Sequence, residues 1–388
     1  MPARKLTFIP GPIEFSDEVL QAMSTPSEAH TSPEFVAVFQ EALKNTRKLF
    51  RSTDPSTQGI VISGSGTLGW DLAGANLLNK GERALVISTG FFSDSFANCL
   101  KVYAGADKVD VLKAKKFGAV VENSEIESAL QKAKDDEKPY SVITITQTDT
   151  SSGVLSDVEA ISAIVRRVSP DTLIVVDAVC ATVCENLEFD KWGIDFTLTA
   201  SQKAVGVPAG LSISFASGRA IEKALSKKEP VGFYTDLQRW IPIMRAYESG
   251  KGAYFATPSV QLVHAYRQSL REILVGPVTE SFSKHKDASD HFKAKIAGLG
   301  LKFVPLTDDI AAHGLSVIYF PEGIEGPKFL SKVAGKGFTI ASGIFKGYQD
   351  KYFRVGHMGI SAIGSRKQEL DQCFEAIKSS LEELGYKH

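Results

Sequence analysis

Short apolar runs rich in β-branched residues alternate with longer helical patterns over the first two thirds of the chain. Seven of these runs are strand candidates, at residues 59–63, 84–88, 108–112, 141–146, 172–177, 195–200 and 211–215. Continuous apolar strands that alternate with helices are typical of a mainly parallel sheet with helices on both faces. The pattern therefore predicts an α/β domain built on a seven-stranded sheet.

The pattern changes after residue 257. A long helical stretch starts at Pro258 and continues past residue 290, with Thr257 as its predicted N-cap. Strand candidates follow at 301–306, 314–320, 338–342 and 352–357, and a last helix is predicted from about Ser365 to Leu384. We expect three parts: an N-terminal segment at 1–20 that lines the site, a large α/β domain at 21–257 and a smaller α+β domain at 258–388.

Composition limits the choice of partners. The chain is 43% hydrophobic and 23% charged, with a net charge of −1 at pH 7, which is ordinary for a soluble protein. Without a broad basic field or a membrane-length apolar run, we expect neither nucleic acid nor a membrane as partner. Four cysteines fit neither a zinc spacing nor a disulfide scaffold, so no metal site is expected. We expect a cytoplasmic location, with the mitochondrion and the peroxisome left open.

The first candidate for chemistry is the turn Gly64-Ser65-Gly66-Thr67, which joins a predicted strand to a predicted helix at Trp70. Glycines let the backbone approach an anion, and a helix start offers unpaired N–H groups and a positive dipole end. Ser65 and Thr67 can add hydroxyl donors. Taken alone, a plain tight turn explains this motif equally well.

A carboxylate and an amine follow two later strands. Asp177 ends an apolar strand, where a buried carboxylate needs a partner. Lys203 follows the next strand among small and apolar residues, and partial desolvation there favours the neutral amine that attacks an aldehyde. A turn cap and a surface lysine are the ordinary alternatives. In order, the turn, Asp177 and Lys203 match the phosphate, ring nitrogen and aldehyde of pyridoxal 5′-phosphate (PLP).

These motifs together resemble those of the class V aminotransferases. The resemblance is carried by Asp177-Ala178-Val179 followed by Ser201-Gln202-Lys203-Ala204, and it extends from Pro10-Gly11-Pro12 to residues 352–356. It is strongest with the alanine–glyoxylate branch and its serine–pyruvate relatives. It implies PLP fold type I, a Schiff base on Lys203, and ping-pong transfer of an amino group from L-alanine to glyoxylate, which gives pyruvate and glycine. Serine–pyruvate or serine–glyoxylate exchange is the alternative.

The resemblance also implies individual roles. Lys203 and Asp177 are the catalytic residues. Residues of the same chain that bind the cofactor are Ser65, Gly66, Thr67, Phe92, Thr150, Asp177, Val179, Gln202 and Lys203. Tyr254 and Thr257 are expected to complete the phosphate site of a neighbouring subunit, so a homodimer with shared sites is implied. Arg354 is expected to bind the substrate carboxylate, and Gly11 to line the substrate pocket.

The chain departs from the family pattern at several positions. Phe92 stands where close relatives often have Trp, and Gln147 and Asp149 replace the usual His and Glu. Each of these segments also has an ordinary interpretation. Phe92 can be a core aromatic, residues 147–153 a polar loop, and Arg354 a partner in a structural ion pair. Two rival functions remain: a cysteine desulfurase, which needs a reactive cysteine on a mobile loop, and a non-catalytic binding protein. Cys180 and the other cysteines do not suggest such a loop.

Overall fold

The computed structural model describes residues 4–229 and 231–387. The first three residues of the predicted N-terminal segment, Pro230 of the predicted large domain and the last residue of the predicted small domain lie outside the described residues.

Strands and helices alternate along most of the chain. The strands are β1 (Leu6–Thr7), β2 (Gln58–Ser63), β3 (Arg83–Ser88), β4 (Val109–Lys113), β5 (Tyr140–Thr146), β6 (Thr148–Asp149), β7 (Val154–Leu155), β8 (Leu173–Asp177), β9 (Phe196–Ala200), β10 (Leu211–Ala216), β11 (Leu315–Tyr319), β12 (Phe338–Thr339), β13 (Ala341–Ser342) and β14 (Tyr352–Gly356). The helices are α1 (Asp17–Met23), α2 (Pro33–Leu49), α3 (Gly66–Leu77), α4 (Phe91–Ala104), α5 (Asn123–Asp135), α6 (Val158–Val168), α7 (Gly218–Leu225), α8 (Leu237–Glu248), α9 (Val260–Ile273), α10 (Val278–Gly298), α11 (Gly326–Gly335) and α12 (Gln368–Glu383). None of them, within the described ranges, is long and apolar enough to cross a bilayer.

The large sheet has seven strands in the order β2-β10-β9-β8-β5-β3-β4. Strand β10 is antiparallel to both of its neighbours, and the other neighbouring pairs are parallel. Six strands therefore run in one direction and end at one edge of the sheet. All seven predicted strands are confirmed, with each end within one residue, because strands covered on both faces are continuously apolar. All five residues of β8, for example, are buried.

The C-terminal third differs from the sequence prediction in four places. The predicted long helix is two helices, α9 and α10, and Gly276 and Pro277 lie in the connection between them. Ser259, not Thr257, is the N-cap of α9, and its hydroxyl pairs with that of Ser63 at 2.8 Å instead of capping the helix. The predicted strand at 301–306 is reduced to one bridge between Phe303 and Ile318, and the predicted strand at 338–342 is split into β12 and β13.

Two hydrophobic cores form. The larger surrounds the seven-stranded sheet, and the smaller lies beneath β11 and β14, packed by α10, α11 and α12. The division at residue 257 stays a prediction.

The N-terminal segment connects the two cores. Strand β1 pairs with β12, and the carbonyl of Phe8 accepts a hydrogen bond from the N–H of Gly356 at 2.7 Å. A few residues later, the N–H of Ile13 donates to the carbonyl of Gln202 at 3.1 Å, next to Lys203. The segment is thus bonded to the small sheet and to the loop after β9.

Candidate active site

Helix α3 begins directly after β2, at Gly66 rather than at Trp70 as predicted. Ser65 is its N-cap, but the Ser65 side chain makes no capping hydrogen bond. The first N–H groups of a helix have no intrahelical acceptor and lie at the positive end of its dipole, so they bind anions. Ser65, Gly66 and Thr67 line a cavity of about 130 Å³ together with Gln202 and Lys203. This turn therefore has the features of an anion site.

Asp177 lies at the end of β8 and lines the same cavity. Its side chain accepts hydrogen bonds from Nε1 of Trp70 at 2.7 Å and from the N–H of Val179 at 3.0 Å. Burial raises the pKa of Asp177 to about 6, and the two hydrogen bonds and the charge of Lys203 only partly offset this effect. A cation bound in the cavity would stabilise the carboxylate form.

Lys203 lies just beyond β9 and lines the same cavity. The Nζ atom donates a hydrogen bond to the carbonyl of Pro10. Gly11 packs against the lysine: a Cβ atom at this position would be 2.4 Å from Cδ of Lys203, and the backbone φ of Gly11 is +90°. Gly11 is therefore in close contact with the lysine, but it is not among the described residues that line the cavity, and its place in the substrate pocket stays a prediction.

Phe92, Thr150 and Val179 also line the cavity, so all nine residues assigned to the cofactor from one chain surround one space. Gln147 points elsewhere, since its Nε2 donates to the carbonyl of Asn186 at 2.8 Å. It lines a separate, larger cavity of about 720 Å³ whose lining does not include Lys203. Gln147 is therefore not among the described residues that line the smaller cavity.

Arg354 is 8% exposed and lies on β14. Its Nε donates to the carbonyl of Ser342 at 2.8 Å, and its Nη1 donates to the carbonyl of Thr150 at 3.2 Å. Burial lowers the pKa of Arg354. Within residues 4–229 and 231–387, no carboxylate forms a salt bridge with it, which argues against the structural ion pair and leaves the charge available for a ligand.

Tyr254 and Thr257 are exposed on the connection between α8 and α9. The Tyr254 side chain is 61% exposed, and its ring centroid lies 5.0 Å from that of His30. Neither residue is among the described residues that line the cavity of their own chain. A role for them in a neighbouring subunit stays a prediction.

Sequence reasoning missed four residues that line the cavity: Trp70, Thr146, Thr148 and Cys180. Trp70 could have been found, because a residue four positions after Gly66 lies on the same face of a helix. Cys180 is buried three residues after Asp177, and burial raises the pKa of its thiol. A buried thiol in a short turn lacks the mobility that a desulfurase requires.

A family model described as "Aminotransferase class-V" matches residues 14–322. The chain belongs to this aminotransferase family. It is 44% identical over 384 residues to alanine–glyoxylate aminotransferase 1 of Saccharomyces cerevisiae, which covers 96% of this chain and 97% of that protein. The class-V family uses PLP, so the chain is a PLP-dependent transaminase, and the non-catalytic alternative is set aside.

More distant relatives of this aminotransferase cover it almost completely. Serine–glyoxylate aminotransferase of Arabidopsis thaliana is 26% identical, over 99% of this chain and 92% of that protein. The crystal structure of alanine–glyoxylate aminotransferase from Nostoc sp. is similar with a TM-score of 0.88 at 25% identity, over 98% of this chain and 96% of the other. These similarities support fold type I.

The residues of the cavity fit PLP. The hydroxyl of Thr148 and Oε1 of Gln202 are buried without a hydrogen-bond partner among the described residues, and both side chains line the cavity. The start of α3 suits a phosphate, Asp177 suits a protonated ring nitrogen, and Lys203 suits an aldehyde. No group of three or more His, Cys, Asp or Glu side chains suited to a metal ion occurs in the part of the chain that the structure describes.

Proposed function

We propose that the chain transfers the amino group of L-alanine to glyoxylate and so forms pyruvate and glycine. One observation carries this proposal: Lys203, Asp177 and the start of α3 share one cavity in a chain that is 44% identical to an alanine–glyoxylate aminotransferase. Serine as donor is the second candidate, because several relatives are named serine–glyoxylate aminotransferases.

Each residue of the site has a part in the proposed reaction. The Lys203 amine would condense with the PLP aldehyde, and the start of α3, with Gln202, would hold the phosphate. Asp177 would keep the ring nitrogen protonated, and Phe92 would stack on the ring. When bound, PLP supplies an electron sink that makes loss of a substrate Cα proton feasible.

Substrate binding and proton transfer fall to Arg354 and Lys203. The planar guanidinium of Arg354 is suited to a bidentate grip on the substrate α-carboxylate. When it is not bonded to the cofactor, Nζ of Lys203 would take the substrate Cα proton. The carbonyl of Pro10 accepts a hydrogen bond from that Nζ and would orient it.

Half-reactions test the substrate assignment. The holoenzyme is mixed with single amino acids, and bleaching of the cofactor absorbance is followed by stopped flow. We expect L-alanine to bleach it fastest, L-serine more slowly, and aspartate not at all; glyoxylate should restore the absorbance. Spectra that alanine leaves unchanged would refute the proposal.

The role of Lys203 is tested by borohydride reduction and peptide mapping. Lys203→Ala should carry no reduced adduct and show no turnover. Lys227→Ala is a matched control, since Nζ of Lys227 likewise donates to backbone carbonyls but belongs to another part of the molecule. Near-normal turnover in Lys203→Ala would remove the lysine from the mechanism.

We further propose a homodimer in which Tyr254 and Thr257 enter the partner's phosphate site. Their exposure, and the fact that neither is among the described residues that line the cavity of its own chain, support this arrangement. Lys203→Ala and the double variant Tyr254→Ala/Thr257→Ala should each be inactive alone. After subunit exchange, about a quarter of all sites should be intact and active, because half the dimers are mixed and each has one complete site. No recovery in proven mixed dimers would contradict shared sites.

We also propose a cytoplasmic location, supported by four free cysteines. Imaging of a fluorescent fusion tests it.

A further inference from the structure

Helix α4 has a start that its own N-cap cannot stabilise. The N-cap residue is Gly90, which has no side chain to accept hydrogen bonds from the first free N–H groups. A Cβ atom at Gly90 would be 2.3 Å from Oγ of Ser151 and 2.5 Å from the carboxyl carbon of Asp149. The loop after β5 thus occupies the place of the missing capping side chain.

Asp149 supplies the missing acceptor. One carboxylate oxygen accepts hydrogen bonds from the N–H of Phe92 at 3.1 Å and from the N–H and hydroxyl of Ser93, both at 3.0 Å. Ser151 accepts from the N–H of Phe91 at 2.8 Å and donates its hydroxyl to the other oxygen of Asp149 at 2.6 Å. Asp149 itself is fully buried. Three successive N–H groups of the α4 start are therefore bound by one loop.

Phe92 is the second residue of that helix, and its ring lines the cofactor cavity. The same loop carries Thr150, whose side chain lines the cavity and whose carbonyl accepts a hydrogen bond from Arg354. A shift of the loop would therefore move the stacking ring and the substrate-binding guanidinium together.

We propose that Asp149 is a positioning residue that holds the Phe92 ring against PLP and keeps the Arg354 guanidinium at a fixed position relative to that ring. The inference rests on the proposed function, because it assumes that PLP occupies this cavity. Asp149 is not among the described residues that line the cavity; it acts through the start of α4 and through the Thr150 carbonyl.

Cofactor-free protein titrated with PLP tests the first part. Asp149→Asn keeps the size of the side chain, but its amide can no longer accept bonds with both ends. We expect PLP affinity to fall about tenfold, a typical coupling within one hydrogen-bond network, and the visible circular dichroism of bound PLP to weaken as the ring loses its fixed orientation. Asp236→Asn is the matched control, because Asp236 is also buried and caps α8 through the N–H of Gln238. The control should lower the unfolding temperature and leave PLP affinity within about twofold.

A double-mutant cycle with Phe92→Ala shows whether Asp149 acts through the ring. We expect Phe92→Ala/Asp149→Asn to bind PLP no more weakly than Phe92→Ala alone. Two losses that multiply, or wild-type affinity in Asp149→Asn, would overturn the inference. If Asp149→Asn does not fold, Ser151→Ala takes its place; we expect it to weaken PLP binding about threefold, and wild-type affinity there would likewise overturn it.

The link to Arg354 has its own readout. In Asp149→Asn saturated with PLP, KM for the amino donor should rise, whereas Asp236→Asn should keep the wild-type KM. An unchanged KM would remove the second half of the inference. Wild-type protein that takes up no PLP would instead refute the proposed function, so the two failures are distinguishable.

Discussion

The buried carboxylate of Asp177 lowers the stability of the cofactor-free protein when it is ionised. We therefore expect Asp177→Asn to stabilise the cofactor-free protein. Burial raises the pKa of Asp177 from 3.8 to about 6. A carboxyl group whose pKa is higher in the folded state destabilises the fold when it is ionised: the cost is small below pH 3.8 and grows until the pH has risen through about 6. A shift of about 2 units corresponds to about 3 kcal/mol at pH 8.

Asn removes this cost but loses one hydrogen bond, because only one of its two ends can accept from Trp70 or Val179. The lost bond costs about 1 kcal/mol, so cofactor-free Asp177→Asn should be more stable by about 2 kcal/mol at pH 8. For a chain of 388 residues, this raises the unfolding temperature by about 2–3 °C. At pH 4 the ionisation cost is below about 1 kcal/mol, and the gain should vanish or reverse.

Differential scanning calorimetry of cofactor-free protein at pH 4 and pH 8 measures both values. Asp157→Asn, at the exposed N-cap of α6, reports the general effect of exchanging Asp for Asn. With PLP bound, the order should reverse, since Asn cannot neutralise the ring nitrogen and turnover should be lost. A gain that is equal at both pH values, or a loss at pH 8, would refute the electrostatic reasoning.

Three further substitutions probe other parts of the molecule. Gly11→Ala forces a Cβ atom toward Cδ of Lys203 and strains a φ of +90°, so kcat should fall about 100-fold, as expected for a 1 Å displacement; steady-state kinetics measures it. Arg354→Lys should lower kcat/KM for the amino donor about ten- to hundredfold through loss of the bidentate grip, with PLP affinity unchanged by titration. Arg166→Ala removes the 2.5 Å partner of the buried Asp195 carboxylate, which keeps Arg219 at 3.7 Å, and should cost about 2 kcal/mol in urea unfolding, with kcat unchanged.

The large sheet and most of the cavity could be predicted from the sequence for a single physical reason. Buried parallel strands are mostly apolar, and their carboxyl ends meet at one edge of the sheet, so a charged residue at the end of such a strand or just after it is easy to recognise. Asp177 and Lys203 stand out in this way. In the C-terminal third, β12 and β13 are short and partly exposed. The pattern there also predicted a strand at 301–306 that is a single bridge.

Contacts that depend on side-chain direction could not be predicted. The role of Asp149 as a cap of α4 joins two loops that are far apart in sequence, and only the absence of a side chain at Gly90 hints at it. The direction of the buried Gln147 side chain likewise follows from its hydrogen bond to the carbonyl of Asn186 rather than from any local pattern. The break before α10 is different, because Gly276-Pro277 is a helix-breaking signal in the sequence. The prediction of one long helix gave more weight to the helical periodicity on both sides of it.

The path of the first residues has a practical consequence for anyone who modifies this protein. Because β1 pairs with β12, Phe8 bonds to β14 and Ile13 bonds to the loop that carries Lys203, a deletion that reaches these residues should disturb the active site as well as stability. Fusion partners and affinity handles are therefore better attached at the far end, after α12. An affinity tag at the N-terminus would lie close to the segment that contacts the Lys203 amine.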